Sequence, residues 1–114
     1  MTDGMHSKEE VEYTIEIKKP LAVRALRRSN IRKKVAEYLF DISPSYSYTS
    51  DIAYHVRTTP SNVIGAIRGL QTRYKEEESL LTLGIISEKS YGKNIKLYGI
   101  TSFGKDMLKT MKNR

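Results

Sequence analysis

Residues 11–17, Val-Glu-Tyr-Thr-Ile-Glu-Ile, alternate strictly, with Val11, Tyr13, Ile15 and Ile17 on one face and Glu12, Thr14 and Glu16 on the other. A period of two over this length predicts a half-buried strand or arm. From about Pro20 to Ile42 the period becomes helical: Ile31, Val35, Tyr38, Leu39 and Ile42 form one apolar stripe, and Leu21 and Ala25 extend a similar lattice upstream. Pro20 suits a first helical turn, where its missing N–H costs nothing. Ser29-Asn30 can cap a fresh helix, so the segment reads as one bent helix or two.

Ser43 to Tyr48 is a turn-forming stretch around Pro44. Thr49 or Ser50 is expected to cap a short helix ending at Val56, which Arg57-Thr58-Thr59 breaks. Thr59 as cap and Pro60 at the first position give the strongest helix start in the chain. Val63, Ile67, Leu70 and Tyr74 then define a core stripe, which predicts a helix over 60–74 with a bend or break near Glu78-Ser79. At 100° per residue its opposite face holds Ser61, Gly65, Arg68 and Thr72, flanked by Asn62 and Gly69. Ser87 to Thr101 reads as a hairpin turning through Tyr91-Gly92-Lys93-Asn94, and Phe103, Met107, Leu108 and Met111 mark a closing helix that starts near Thr101-Ser102.

Charge changes the picture. Among 114 residues, 20 Lys and Arg face 13 Asp and Glu, a net charge of +7. The excess is blocked along the chain. Residues 18–35 hold eight bases and no acid, 57–75 hold Arg57, Arg68, Arg73 and Lys75, and the stretch after Glu88 holds seven bases against Asp106. Three acidic blocks alternate with these: residues 1–17 (Asp3, Glu9, Glu10, Glu12 and Glu16 against Lys8), 36–56 (Glu37, Asp41 and Asp51) and 76–88 (Glu76, Glu77, Glu78 and Glu88). A polyanionic partner is expected if folding gathers the basic blocks on one side. The 18–35 block has three readings: DNA flanks, the acidic 76–78 run, or a partner chain.

The chemistry for catalysis is thin. There is no Cys, which removes disulfides, thiolate zinc sites and a thiol nucleophile. His6 and His55 are the two imidazoles, and the carboxylate pairs lie in polar runs that imply no cleft. We expect no enzyme activity, no cofactor and no metal. The N-terminal residues lack the pattern of a signal peptide, and no apolar run approaches a membrane span, so a cytoplasmic protein without membrane association is expected.

The order helix, turn, short helix, sharp turn, capped helix, basic hairpin, closing helix carries a family pattern. Tyr48-Thr49-Ser50-Asp51-Ile52-Ala53 followed by Thr59-Pro60-Ser61-Asn62-Val63-Ile64-Gly65-Ala66-Ile67 resembles the helix-turn-helix of winged helix transcriptional regulators. Leu83-Gly84-Ile85-Ile86 is similar to the junction entering their wing, and Tyr98-Gly99-Ile100-Thr101-Ser102-Phe103-Gly104 to their strand-to-helix signature. The resemblance spans roughly residues 29–112, with MarR-like, ArsR-like and predicted archaeal regulators as the groups in view. It implies a mostly α fold with a small β-hairpin wing over 18–114, preceded by the arm at 1–17. Two features depart from the compact pattern: the arm, and one or two extra helical turns between Leu70 and Leu83. Either can serve dimerisation.

The resemblance assigns roles by position. The helix 60–74 presents Ser61, Asn62, Gly65, Arg68 and Thr72 to DNA, with Arg68 suited to guanine and Asn62 to adenine. Gly65 and Gly69 remove bulk at the point of approach. Thr49, Arg57, Thr59 and Arg73 are assigned to phosphates and flanks, and Lys93, Asn94 and Lys96 load the wing. The implied function is sequence-specific double-stranded DNA binding by a transcriptional regulator acting as a homodimer. The alternative is a winged helix module that docks on a protein of the transcription or replication machinery, which an apolar recognition face would favour.

Overall fold

The computed structural model describes residues 18–69 and 75–112. The arm at 11–17 lies outside them, as does the 70–74 part of the extension expected between Leu70 and Leu83.

The segment 18–42 forms two helices, α1 over residues 18–28 and α2 over Asn30–Asp41. Ser29 separates them in extended conformation, and its hydroxyl oxygen accepts the amide of Arg32 at 3.1 Å. Such a cap satisfies one of the amides a helix start leaves open, worth about 1 kcal/mol. Ala22, Ala25 and Leu26 of α1 and Val35, Ala36 and Leu39 of α2 enter the core.

Helix α3, Thr49–Val56, begins one residue earlier than a Thr49 cap requires. Tyr48 occupies the cap position and supplies no side-chain hydrogen bond, so Thr49 is the first helical residue. The start is secured instead through Asp51, whose carboxylate accepts from the Ser47 hydroxyl at 2.6 Å and from the Tyr38 hydroxyl at 3.0 Å. Arg57 closes α3 in the left-handed region, with φ 61°. That single residue reverses the chain toward α4.

Helix α4, Pro60–Arg68, starts as expected: the Thr59 hydroxyl accepts the Asn62 amide at 3.1 Å and Pro60 opens the first turn. It ends earlier than the expected 74. Gly69 terminates it with φ 90°, and a Cβ there would stand 2.7 Å from the Glu76 Cα, so the returning chain passes where a side chain would project. After a 3-10 turn, Glu76–Glu78, the amides of Leu80 and Leu81 donate to the Ala66 and Ile67 carbonyls at 3.0 and 3.1 Å. Carbonyls that a helix end leaves without partners are thereby satisfied from a distant segment.

Strands β1, Ile86–Tyr91, and β2, Ile95–Ile100, pair antiparallel, with Ile86 opposite Ile100 and Tyr91 opposite Ile95. Ser47 bridges to Tyr98 through both backbone bonds, at 2.9 and 2.8 Å, which ties the base of the hairpin to the α2–α3 connection. The hydroxyl oxygen of Thr101 accepts the Gly104 amide at 2.9 Å and opens α5, Ser102–Lys112. Met107 and Leu108 of α5 close one core built with Ile52, Val63, Ile67, Leu80, Ile85 and Tyr98. The architecture is mostly helical with a small two-stranded hairpin, compatible with a winged helix.

Candidate nucleic-acid interface

The turn at Arg57 sets α4 after α3, and both pack on α2. Helix α4 buries Val63, Gly65, Ala66 and Ile67. Ser61 and Arg68 are exposed, and Asn62 is half-buried. Gly65 therefore departs from the expected outward face. A glycine has only backbone to offer solvent. Its contribution is absence of bulk beside Ser61 and Arg68, not a contact group.

Asn62 is engaged locally. Its side-chain amide donates to the Thr58 hydroxyl at 2.9 Å, which binds the turn to the first turn of α4. Thr59 is the cap, Thr49 is half-buried at the start of α3, and Arg57 is exposed in the turn. Thr72 and Arg73 lie outside the described residues.

Arg68 ends α4 and reaches the hairpin. Its guanidinium hydrogen-bonds the carboxylate of Glu88 on β1. The neighbouring Tyr98 hydroxyl, followed by Glu88, raises its already high pKa. Glu88 also faces Lys96, whose ammonium lies 3.7 Å from the other carboxylate oxygen and donates to Ser90 at 3.1 Å. Arg68, Glu88 and Lys96 thus join α4 to both strands of the hairpin. Reasoning from sequence had no partner for Arg68. The Glu88–Lys96 half was readable: Glu88 stands opposite Tyr98, so Lys96 is its diagonal neighbour on the same face. The Arg68 half spans 20 residues and required the fold.

The hairpin turn carries Lys93 and Asn94, both exposed, with Gly92 at φ 68°. Tyr91 and Ile95, which face each other just below it, are 67% and 49% exposed, an apolar pair set among lysines. Lys89 lies over the Tyr46 ring at 4.3 Å from its centroid, which steadies the base of the wing.

Behind α3, His55 stacks on Tyr38 with ring centroids 4.7 Å apart and approaches Asp51 at 3.4 Å. Hydrogen bonds from Ser47 and then Tyr38 lower the pKa of Asp51. Burial, reinforced by Asp51, raises that of Tyr38. This cluster fixes the first helix of the pair. On the far side of α2, Arg32 is buried and lies 3.3 Å from Glu78, which also accepts from Arg28 at 2.9 Å. Two bases of the 18–35 block are therefore turned to the acidic run. Glu76 and Glu77 stay exposed.

Among the described residues, no cluster of three or more His, Cys, Asp or Glu is arranged to hold a metal ion, and no helix is long and apolar enough to cross a membrane.

A family model described as EarA-like matches residues 22–111, which takes in all five helices in whole or part and the hairpin. An uncharacterized protein of Methanocaldococcus jannaschii is similar, at 35% identity over 95 residues, covering 83% of this chain and 85% of the relative. No solved structure matches the chain.

Proposed function

The chain belongs to the EarA-like family; from its fold and charge we propose that it is a sequence-specific binder of double-stranded DNA that acts as a transcriptional regulator. The observation that carries the reading is the Arg68–Glu88–Lys96 chain, which ties the exposed end of α4 to both strands of the basic hairpin. In the docking mode of the MarR-like and ArsR-like regulators that the sequence resembles, such a helix enters the major groove while the wing follows the flanking backbone. Ser61 and Arg68 face outward from α4, and Lys93 and Asn94 stand free at the wing turn.

Glu88 has a defined part in this mechanism. Without DNA it neutralises Arg68 and Lys96 and keeps the guanidinium in place. Guanine O6 and N7, or a phosphate, then replaces the carboxylate as the acceptor when the duplex docks. Lys93 and Lys96 supply sequence-independent attraction by displacing counterions.

Titrating the protein into labelled duplex and the matching single strands, followed by anisotropy at low and near-physiological salt, tests the reading. Duplex-selective binding that weakens steeply with salt is expected. Absence of binding at low salt overturns it and favours the protein-docking alternative.

A further inference from the structure

Helices α1 and α5 enclose a groove of about 690 Å³ that the proposed DNA contact does not use. Val23 and Met107 supply apolar wall, and Lys19, Arg24 and Arg27 line it with Arg28, which is also paired with Glu78. Met107 is 5% exposed, and all four cations are exposed at its edge. A site of this kind takes a segment that is apolar on one side and acidic on the other.

The chain contains such a segment. Residues 11–17 alternate Val11, Tyr13, Ile15 and Ile17 with Glu12, Thr14 and Glu16. An extended stretch of that length reaches about 23 Å, whereas the eleven residues of α1 rise about 16 Å. We infer that the α1–α5 groove receives the 11–17 segment of a second copy of this chain, its apolar side toward Val23 and Met107 and its glutamates toward the arginines of α1.

The second copy, not the same chain, is the occupant on grounds of connectivity. Residue 17 runs directly into α1, which is itself a wall of the groove. Folding back along α1 would consume the last residues of the segment in a reversal, removing Ile15, Glu16 and Ile17 from contact. A segment arriving from a partner keeps every alternating position. Exchange in both directions gives a closed two-fold pair. The inference is independent of DNA binding and is tested without it.

The absence of Cys makes the test direct. Single-cysteine chains Ile15→Cys and Val23→Cys are mixed and mildly oxidised, with Thr110→Cys as a second groove position and Lys93→Cys as the distant control. Sedimentation is measured in parallel on the unmodified chain and on Glu12→Gln/Glu16→Gln. The expected results are a dimer, a disulfide between differently labelled chains from the Ile15/Val23 or Ile15/Thr110 mixture well above the Lys93 control, and a dimer about fivefold weaker for the double Gln variant. A monomer at tens of micromolar overturns the inference. So does a dimer that is indifferent to the glutamates and cross-links no more than the control.

Discussion

Arg68, the last residue of α4, is held by Glu88 on the first strand of the hairpin, and the pair leaves both side chains open to solvent. An exposed pair of this kind is worth under about 1 kcal/mol to folding. Its place at the meeting of helix and wing is what gives it consequence. Removing Glu88 deletes a negative charge from a surface proposed to meet phosphate and releases two bases. Glu88→Gln is expected to tighten binding to any duplex several-fold at low salt, with unfolding changed little. Arg68→Ala is expected to weaken binding and flatten base preference by about 1–3 kcal/mol. Anisotropy on a panel of duplexes checks both, and a Glu88→Gln protein that binds more weakly than the parent refutes the role assigned to the carboxylate.

The run Glu76-Glu77-Glu78 reads as uniform, yet its three members are not equivalent. Glu78 faces Arg28 and the buried Arg32, whereas Glu76 and Glu77 are exposed. Taking the carboxylate away from a buried guanidinium removes a charged hydrogen-bond partner from a place that water reaches poorly, which costs more than losing a carboxylate from solvent. Glu78→Ala is expected to destabilise by about 1–3 kcal/mol, and Glu76→Ala or Glu77→Ala by under about 0.5 kcal/mol. Urea unfolding of the three variants makes the comparison.

What could be read along the chain was local. Ser29, Thr59 with Pro60, and Thr101 announce helix starts because a hydroxyl next to an apolar stripe supplies the missing acceptor, and each does so. The hairpin was legible from its turn residues, and the closing helix from its stripe. Three features were not. The end of α4 at Gly69 depends on Glu76 returning beside it, a contact that no periodicity contains. The start of α3 rests on a carboxylate network reaching back to Tyr38, not on the hydroxyl of Thr49. The pairing of Arg68 with Glu88 is a product of tertiary structure, so a residue chosen for its outward position came with an unseen partner.

The Asp51 network makes part of the stability pH-dependent. Its carboxyl pKa is depressed, first by the Ser47 hydroxyl and then by that of Tyr38. The charged form is therefore preferred in the folded state, and the stabilisation is present above the unfolded carboxyl value of about 3.9 and is lost as pH falls through the folded value. Tyr38 behaves in the opposite sense: its raised pKa stabilises the fold below about pH 10 and the gain fades as alkali ionises it. Asp51→Asn is expected to melt below the parent at pH 7, with the gap narrowing as pH falls below about 3.9. A constant gap down to acid would assign the loss to packing instead. Thermal unfolding followed by circular dichroism across that range measures it.

At Gly104, α5 closely approaches the Ile85 backbone. A Cβ there would lie 2.1 Å from the Ile85 carbonyl oxygen and 2.8 Å from Ile100 Cδ1. The carbonyl cannot yield freely, because it accepts the Thr101 amide at 3.1 Å and lies 2.9 Å from the Thr101 hydroxyl, the cap of the same helix. Gly104→Ala thus requires α5 to move away from the strand entry and carry Met107 and Leu108 with it. A loss of at least about 3 kcal/mol is expected, at the upper end of overpacking costs. Gly92 supplies the contrast: it has no neighbour within 4 Å, so Ala there meets only the strain of φ 68°, roughly 1–2 kcal/mol. Chemical denaturation of both variants decides the matter, and a Gly104→Ala protein as stable as Gly92→Ala would show that α5 is not fixed by this contact.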